Sequence, residues 1–169
     1  MKKLRKSIKY LIILTLVYLP FAFTVPNYLM VNTSSSMPEG IYYTSNFDHK
    51  NLKKGEVISL AIPLNARKVL YSREYLGSHT KKLIKTVAGK AGDLIEIKKN
   101  KVFINSEYVG RISKLDSKGR VLTSSLKSGI IPINKVFVLG MIENSYDSRY
   151  FGLISKDIIL KKAELILKF

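Results

Sequence analysis

The chain contains no cysteine, only two histidines, and far fewer acidic than basic residues. The absence of cysteine excludes disulfides and thiolate metal sites, so the fold has to be stabilised by its core. His49 and His79 both lie in polar, loop-like sequence, and we interpret them as solvated bystanders. We expect no metal and no cofactor.

Acidic side chains number 12 against 29 lysines and arginines, a formal net charge of +17. The lysines are scattered through strand-like segments and form no recognised nucleic-acid-binding motif, so we expect no nucleic-acid partner. Attraction to anionic lipid head groups explains the charge more simply. A lysine-rich genome composition is a second source of the same bias.

Charged residues are absent between Lys9 and Glu39, directly after a basic flank over residues 1–9. Residues 10–30 would form a helix roughly 30 Å long, enough to cross a bilayer, and this predicts a transmembrane anchor. A cleavable signal sequence is the main alternative, although the bulky residues at 21–23 do not resemble a cleavage site. A buried core helix is a further alternative.

The basic flank predicts the orientation of this anchor, because positively charged ends stay cytoplasmic. Residues 31–169 would then lie outside the cytoplasm. We therefore expect a single-pass protein of the cytoplasmic (inner) membrane with its working domain on the periplasmic side.

Short apolar, β-branched runs separated by turn residues follow the anchor, and they predict a mainly β domain. Residues 98–101 suit a hairpin turn. Only residues 65–76 are expected to be helical. We lean towards a strand for the closing segment 163–169. The runs lie at 41–43, 57–62, 94–97, 102–104 and 136–139.

Three segments carry residues suited to chemistry. Residues 32–42 read Asn-Thr-Ser-Ser-Ser-Met-Pro-Glu-Gly-Ile-Tyr, which by composition alone also fits a polar linker. Lys85 lies inside the apolar strand 82–87, ahead of a Gly-x-x-Gly-Asp turn. Residues 144–152 contain Asp147 and Arg149, which alone would be an ordinary ion pair.

Taken in this order, the three segments resemble signal peptidase I, and more closely its conjugative-transfer branch, the TraF-type pilin-processing peptidases. The branch-like features are the Asn-x-x-x-Ser-x-Pro-x-Gly-x-Tyr spacing of 32–42 and the Asp-Ser-Arg-Tyr-Phe-Gly run from Asp147. The Arg-Glu-Tyr-Leu-Gly run at 73–77 adds weaker support. The resemblance implies a signal-peptidase-like β domain with Ser36 as nucleophile and Lys85 as general base.

The same resemblance implies roles for the neighbouring residues. The hydroxyl of Ser34 and the backbone N–H of Ser36 would form the oxyanion hole, and Ser145, Asp147 and Arg149 would hold the shape of the site. Substrate would add as a strand beside the segments preceding Ser36 and Lys85. The residues expected to contact it are Asn32, Leu83 and Ile84.

The chemistry requires the lysine to be neutral when it accepts the proton of the serine. Moving its pKa from about 10.4 to near 7.5 takes roughly 4 kcal/mol of bias against the ammonium, which burial supplies. Leu83, Ile84 and Val87 offer such burial, whereas Lys81 and Lys82 look exposed.

The sequence thus predicts a membrane-bound Ser/Lys endopeptidase that processes exported pre-proteins, with a pilin precursor as the expected substrate. A general signal peptidase is the alternative, although residues 141–143 lack the acidic-Asn-Arg continuation of that group. The chain has a predicted membrane anchor where a self-cleaving Ser/Lys repressor would carry a helical DNA-binding module, which argues against that class. A catalytically idle, membrane-anchored β module is a further alternative.

Overall fold

A computed structural model describes residues 2–24, 28–48 and 50–169. This part of the chain contains two antiparallel sheets, three α-helices and a short 3-10 helix at Lys156–Ile158, which confirms the mainly β prediction. The helices are α1 (Lys2–Thr24), α2 (Leu64–Ser72) and α3 (Ser148–Phe151). The strands are β1 (Leu29–Asn32), β2 (Gly40–Ser45), β3 (Val57–Ala61), β4 (Lys82–Gly89), β5 (Leu94–Lys98), β6 (Lys101–Ile104), β7 (Glu107–Arg111), β8 (Gly129–Ile130), β9 (Lys135–Leu139), β10 (Ile154–Ser155) and β11 (Ile159–Lys168).

The large sheet has seven strands in the order β1-β2-β11-β3-β4-β9-β10, and the small sheet has four in the order β7-β6-β5-β8. The expected hairpin joins β5 and β6, with Lys98 opposite Lys101. Lys99 and Asn100 both have positive φ, as a two-residue turn of this hand requires. The closing segment is a strand, β11, lodged between β2 and β3.

Helix α1 covers much of the predicted anchor, with the basic residues of the flank in its first turns. Within residues 2–24, 28–48 and 50–169, no helix combines the length and the apolar content needed to cross a bilayer. The predicted transmembrane helix is therefore not shown. Part of the expected 10–30 span lies at residues 25–27, outside the described residues.

Helix α2 is shorter than expected and ends at Ser72, because a C-terminal turn closes it. Glu74 has φ +60, its N–H donates to the carbonyl of Tyr71, and the N–H of Tyr75 reaches back to Leu70. This is a Schellman arrangement with a non-glycine residue in the left-handed position. It turns the chain at 75–77 away from the helix axis.

Three apolar clusters hold the sheets together. The largest lies between the large sheet and α2, and a second joins the small sheet to β9 through Phe137. The third is small and lies directly beneath the serine-rich segment. Its members are Met37, Tyr42, Ile84 and Ala163.

Candidate active site

The serine-rich segment forms a tight turn between β1 and β2, organised by Asn32. The Asn32 amide nitrogen donates to the carbonyls of Ser34, Met37 and Pro38 at 2.9, 3.1 and 3.0 Å. Its amide oxygen accepts the N–H of Ser34 at 3.2 Å. The side chain was predicted to contact substrate, but the structure commits its hydrogen-bonding groups to shaping the turn.

Met37 fixes the turn from below, where it is 2% exposed. The Tyr42 hydroxyl adds a 2.8 Å hydrogen bond to the Pro38 carbonyl. The carbonyl of Ser36 accepts the N–H of Met141 at 2.7 Å, which ties the turn to the end of β9. The residue between these anchors, Ser36, keeps a partly exposed side chain.

The two residues predicted to form the oxyanion hole lie side by side. Ser34 Oγ and Ser36 Oγ are 3.2 Å apart, and the Ser36 N–H donates to Ser34 Oγ at 3.4 Å. A hydroxyl and a backbone N–H are therefore adjacent to the Ser36 hydroxyl. Both groups are hydrogen-bond donors of the kind that stabilises an oxyanion.

Lys85 lies in the middle of β4 and is 2% exposed. Its ammonium donates a 2.8 Å hydrogen bond to Ser145 Oγ. Burial lowers the pKa of Lys85 from 10.5 to about 8, against the opposing effect of the negative charge on Asp147 and with the help of the positive charge on Arg149. Lys81 and Lys82, just upstream, are exposed as expected.

Asp147 pairs with Arg149, as the sequence suggested, and both side chains are buried. Two nitrogens of the guanidinium, Nε and one Nη, donate to the two carboxylate oxygens at 2.9 and 2.8 Å. The same Nη also donates to the carbonyl of Ser145 at 3.2 Å. The pair thus fixes the backbone of the residue whose hydroxyl contacts Lys85.

Gly140 occupies a position where no side chain fits. A Cβ atom there would lie 2.2 Å from Ser145 Oγ and 2.8 Å from the Ser36 carbonyl. The N–H of Gly140 donates to Asp147 Oδ2 at 3.0 Å. The end of β9 therefore packs against the turn of Ser36 and the partner of Lys85 at once.

Ser36 and Lys85 line one cavity of about 190 Å³. Within the described residues, no hydrogen bond joins Ser36 Oγ directly to Lys85 Nζ. Hydrogen bonds between catalytic groups are often long or absent in unliganded sites and tighten on substrate binding. Ser36 and Lys85, which the sequence predicts to act together, therefore line the same cavity without a hydrogen bond between them.

A second groove, of about 360 Å³, meets the first at Ser36. Residues 30–36 form one wall, and Lys82, Leu83 and Ile84 line another. Leu83 and Ile84 point to opposite sides of β4, since Leu83 packs in the largest cluster and Ile84 beneath the serine turn. Both line the groove, as expected of substrate contacts.

Two strand edges facing this groove have no strand partner among the described residues. β1 pairs only with β2. β4 pairs with β9 only from Thr86 onwards, so the segment 82–85 is paired on its β3 side alone. An extended peptide could hydrogen-bond to either edge.

The histidines do not take part in this arrangement. His79 is exposed, and His49 lies outside the described residues. Sequence reasoning missed several residues that line or support the cavity, above all Tyr75 and Asp116. The run 73–77 was singled out only as a resemblance, and Asp116 carried no signal beyond the turn-forming residues around it.

Comparison with known proteins places the chain in the signal peptidase class. The family described as signal peptidase, peptidase S26, matches residues 1–168. The chain belongs to this family.

Similar proteins include two named conjugal transfer protein TraF. One, from Agrobacterium fabrum, is 29% identical over 147 residues that cover 82% of each chain. The other, from Agrobacterium tumefaciens, is 35% identical over 89 residues, which cover 52% of this chain and 49% of that one. Among solved structures, a signal peptidase I from Enterococcus faecalis aligns at a TM-score of 0.38 and 18% identity, covering 70% of this chain and 98% of that chain.

Proposed function

We propose that this chain is a serine endopeptidase in which Ser36 is the nucleophile and Lys85 its general base. The observation that carries the proposal is the environment of Lys85. The side chain is buried, contacts the neutral Ser145 hydroxyl, and opens on the cavity that Ser36 lines. Burial lowers its pKa to about 8, so a useful fraction is neutral near physiological pH.

In the proposed reaction, neutral Lys85 accepts the Ser36 hydroxyl proton while Oγ attacks the scissile carbonyl. The resulting oxyanion accepts hydrogen bonds from the Ser36 N–H and the Ser34 hydroxyl. The Lys85 ammonium then protonates the departing amine, which leaves an ester on Ser36. Water, deprotonated by Lys85, hydrolyses this ester and restores the hydroxyl.

Substrate binds in this proposal as an extended strand in the second groove, between β1 and the start of β4. The unpaired backbone of both edges supplies main-chain hydrogen bonds, and Leu83 and Ile84 form pocket walls for its side chains. Asn32 contributes through the backbone of β1, because its side chain is committed to the serine turn.

The substrate we infer is an exported pre-protein, specifically a pilin precursor of a conjugative system. Support comes from the two similar proteins named for conjugal transfer. A general signal peptidase would instead cleave secretory signal peptides. Incubation with a pilin precursor and, separately, with an ordinary secretory precursor distinguishes the two.

The decisive test compares Ser36→Ala, Lys85→Ala and the double variant in precursor processing. Each single variant should lose cleavage, and the double should lose little more, because the two groups act as one unit. Lys90→Ala, at an exposed lysine directly after the same strand and outside both spaces, is the matched control and should keep activity. Substantial cleavage by a folded Lys85→Ala protein would contradict the assignment.

Membrane attachment through the N-terminal segment is also part of the proposal. Apolar side chains of α1 between Ile8 and Leu19 are exposed, and large exposed apolar surfaces mark membrane or protein contacts. The basic flank would stay cytoplasmic, with residues 31–169 on the periplasmic side. Protease added to intact spheroplasts should digest this domain, and protection until lysis would contradict the topology.

A further inference from the structure

Tyr75 and Leu76 occupy a position that the proposed reaction does not use. Both side chains line the cavity of Ser36 and Lys85, and both also line the second groove. The Schellman turn at the end of α2 brings them there. They therefore stand where the two spaces join, next to the serine turn.

A buried carboxylate holds this position. Asp116, with a side chain 5% exposed, accepts a hydrogen bond from the Tyr75 hydroxyl. It also pairs with Arg120 Nε at 2.7 Å and with an Arg73 Nη at 3.4 Å. We call these four residues the Asp116 latch.

The Asp116 latch connects two segments that are far apart in the sequence. Arg73 and Tyr75 belong to the segment between β3 and β4 of the large sheet, whereas Asp116 and Arg120 belong to the segment between β7 and β8 of the small sheet. Arg120 also donates to the Arg73 carbonyl at 3.3 Å, and an Arg73 Nη donates to the Val121 carbonyl at 2.7 Å. The latch therefore bridges the two sheets above the cavity.

Two neighbouring side chains pack against the ring of Tyr75. The Arg120 guanidinium lies 5.4 Å from its centroid, and the ring of Tyr146 lies 5.8 Å away. Tyr146 directly follows Ser145, the hydrogen-bond partner of Lys85. The wall that Tyr75 forms is thus rigidly placed relative to the reacting groups.

The charge of the latch bears on what the cavity accepts. Burial opposes ionisation of Asp116, but hydrogen bonds from Tyr75 and from the backbone and side chain of Arg120 outweigh it and hold its pKa well below the usual range. The carboxylate is therefore ionised and is neutralised by the two arginines. The rest of the lining is mixed, with apolar or aromatic side chains from Leu70, Leu83, Leu115, Leu122, Ile142 and Tyr150 and polar ones from serines, Asn144 and Lys85. Asp116 is the only acidic side chain among the described residues that line this cavity.

We propose that Tyr75 and Leu76 are specificity-determining residues that select an uncharged apolar side chain of the substrate. Asp116, Arg73 and Arg120 are positioning residues, which hold Tyr75 in place and keep its surroundings electrically neutral. The inference rests on the proposed function in one respect, that a peptide enters this cleft. With the Asp116 charge uncompensated, the same wall would attract a cationic side chain.

The test measures peptide binding to the full chain carrying Ser36→Ala, in detergent, by fluorescence anisotropy. The probes are acetylated, labelled alanine-based decapeptides with leucine, phenylalanine or lysine at one position, scanned along the peptide. Because no cleavage is needed, the result does not depend on whether Ser36 is the nucleophile. Loss of precursor cleavage by Ser36→Ala tests the proposed function separately.

At one probe position or more, the leucine peptide should bind at least tenfold more tightly than the lysine peptide. Leu76→Ala should shift the preference from leucine towards phenylalanine by about fivefold, because it enlarges the cavity. Leu64→Ala, an exposed leucine outside both spaces, is its control. A general loss of stability would weaken all probes alike and would not change these ratios.

Arg120→Gln should raise the lysine-to-leucine affinity ratio about fivefold or more, because Asp116 loses its closest cation. Lys118→Gln removes the same charge from the same loop, yet its side chain does not contact Asp116, so the ratio should stay constant.

Three results would overturn the inference. The first is saturable binding with ratios that Leu76→Ala and Arg120→Gln leave unchanged while both variants stay folded by circular dichroism. The second is an equal response to Arg120→Gln and Lys118→Gln, which would show only a general charge effect. The third is the absence of saturable binding for every probe, since the cleft would then not be a peptide site.

Discussion

Lys85 Nζ donates a 2.8 Å hydrogen bond to Ser145 Oγ, and both residues are 2% exposed. A buried ammonium is costly unless a carboxylate compensates it, and the nearby carboxylate of Asp147 is paired with Arg149 instead. The fold therefore places the Lys85 ammonium next to a neutral hydroxyl, and the carboxylate of Asp147 forms its ion pair with Arg149 instead. This arrangement favours the neutral amine, which is the form that a general base requires.

The pH dependence of cleavage should follow Lys85. Its folded-state pKa is about 8, so kcat/KM should fall about tenfold per pH unit below that value and level off above it. A pH profile on a pilin-precursor peptide, with folding checked at each pH, measures this. A limb near pH 10 would show that Lys85 is not desolvated. Lys85→Arg should be inactive throughout, because arginine stays protonated.

Gly140→Ala should reduce activity strongly without unfolding the protein. The new methyl group would overlap Ser145 Oγ and the Ser36 carbonyl, and overpacking of this kind costs roughly 1–3 kcal/mol. The overlap can be relieved only if Ser145 or the serine turn shifts. Either shift displaces Ser36 or the hydrogen-bond partner of Lys85. We expect at least a tenfold loss in kcat together with a lower melting temperature.

Gly77→Ala provides the stability control, because its Cβ would meet only Thr80 Oγ1, at an ordinary contact distance of 3.7 Å. Its melting temperature should be unchanged or slightly higher, since alanine restricts the unfolded chain. Equal melting temperatures and equal kcat for Gly140→Ala and the wild type would contradict the tight packing at β9.

Some elements of the fold and some residues of the cavity could be predicted from the sequence, and others could not. Local patterns located the β5–β6 hairpin, because the polar stretch 98–101 with Asn100 lies between two short apolar runs and indicates a turn without tertiary information. The family resemblance pointed to Ser36 and Lys85, and both line the cavity. Contacts across long sequence separations could not be anticipated in this way.

Asp116 illustrates the second case. The residues around it predict a turn, but nothing local indicates that its carboxylate meets Tyr75, 41 residues earlier. Asn32 illustrates a related failure, since its position beside the groove was foreseen while its three donated hydrogen bonds inside the turn were not. Side-chain partners depend on packing that the sequence pattern does not encode.

Removing one partner of the Asp147–Arg149 pair should lower the stability of the protein strongly, whereas replacing both partners should lower it much less. Arg149→Met leaves a buried, unpaired carboxylate, which costs roughly 3–5 kcal/mol. Asp147→Asn combined with Arg149→Met removes both charges and should recover part of this loss. Denaturant unfolding of Arg149→Met, Asp147→Asn and the double variant measures it. A double variant as unstable as the sum of the singles would mean that the two residues are not coupled.

Lys85→Met should yield a protein that is inactive and yet more stable than the wild type at pH 7. The folded-state pKa of about 8 lies below the ordinary 10.5, so the unfolded chain binds the proton more tightly. Folding with Lys85 is therefore penalised in full below about pH 8, by about 3 kcal/mol, and the penalty disappears as the pH rises to about 10.5. Methionine fills a similar volume without this penalty, although the hydrogen bond to Ser145 is lost.

Denaturant unfolding in detergent should show the gain in stability of Lys85→Met at pH 7 and its convergence to the wild type at high pH. Lys82→Met, at an exposed position of the same strand, should show no such pH-dependent difference. A Lys85→Met protein that is less stable at pH 7 than at pH 10, relative to the wild type, would mean that the lysine is paired rather than desolvated in the folded chain.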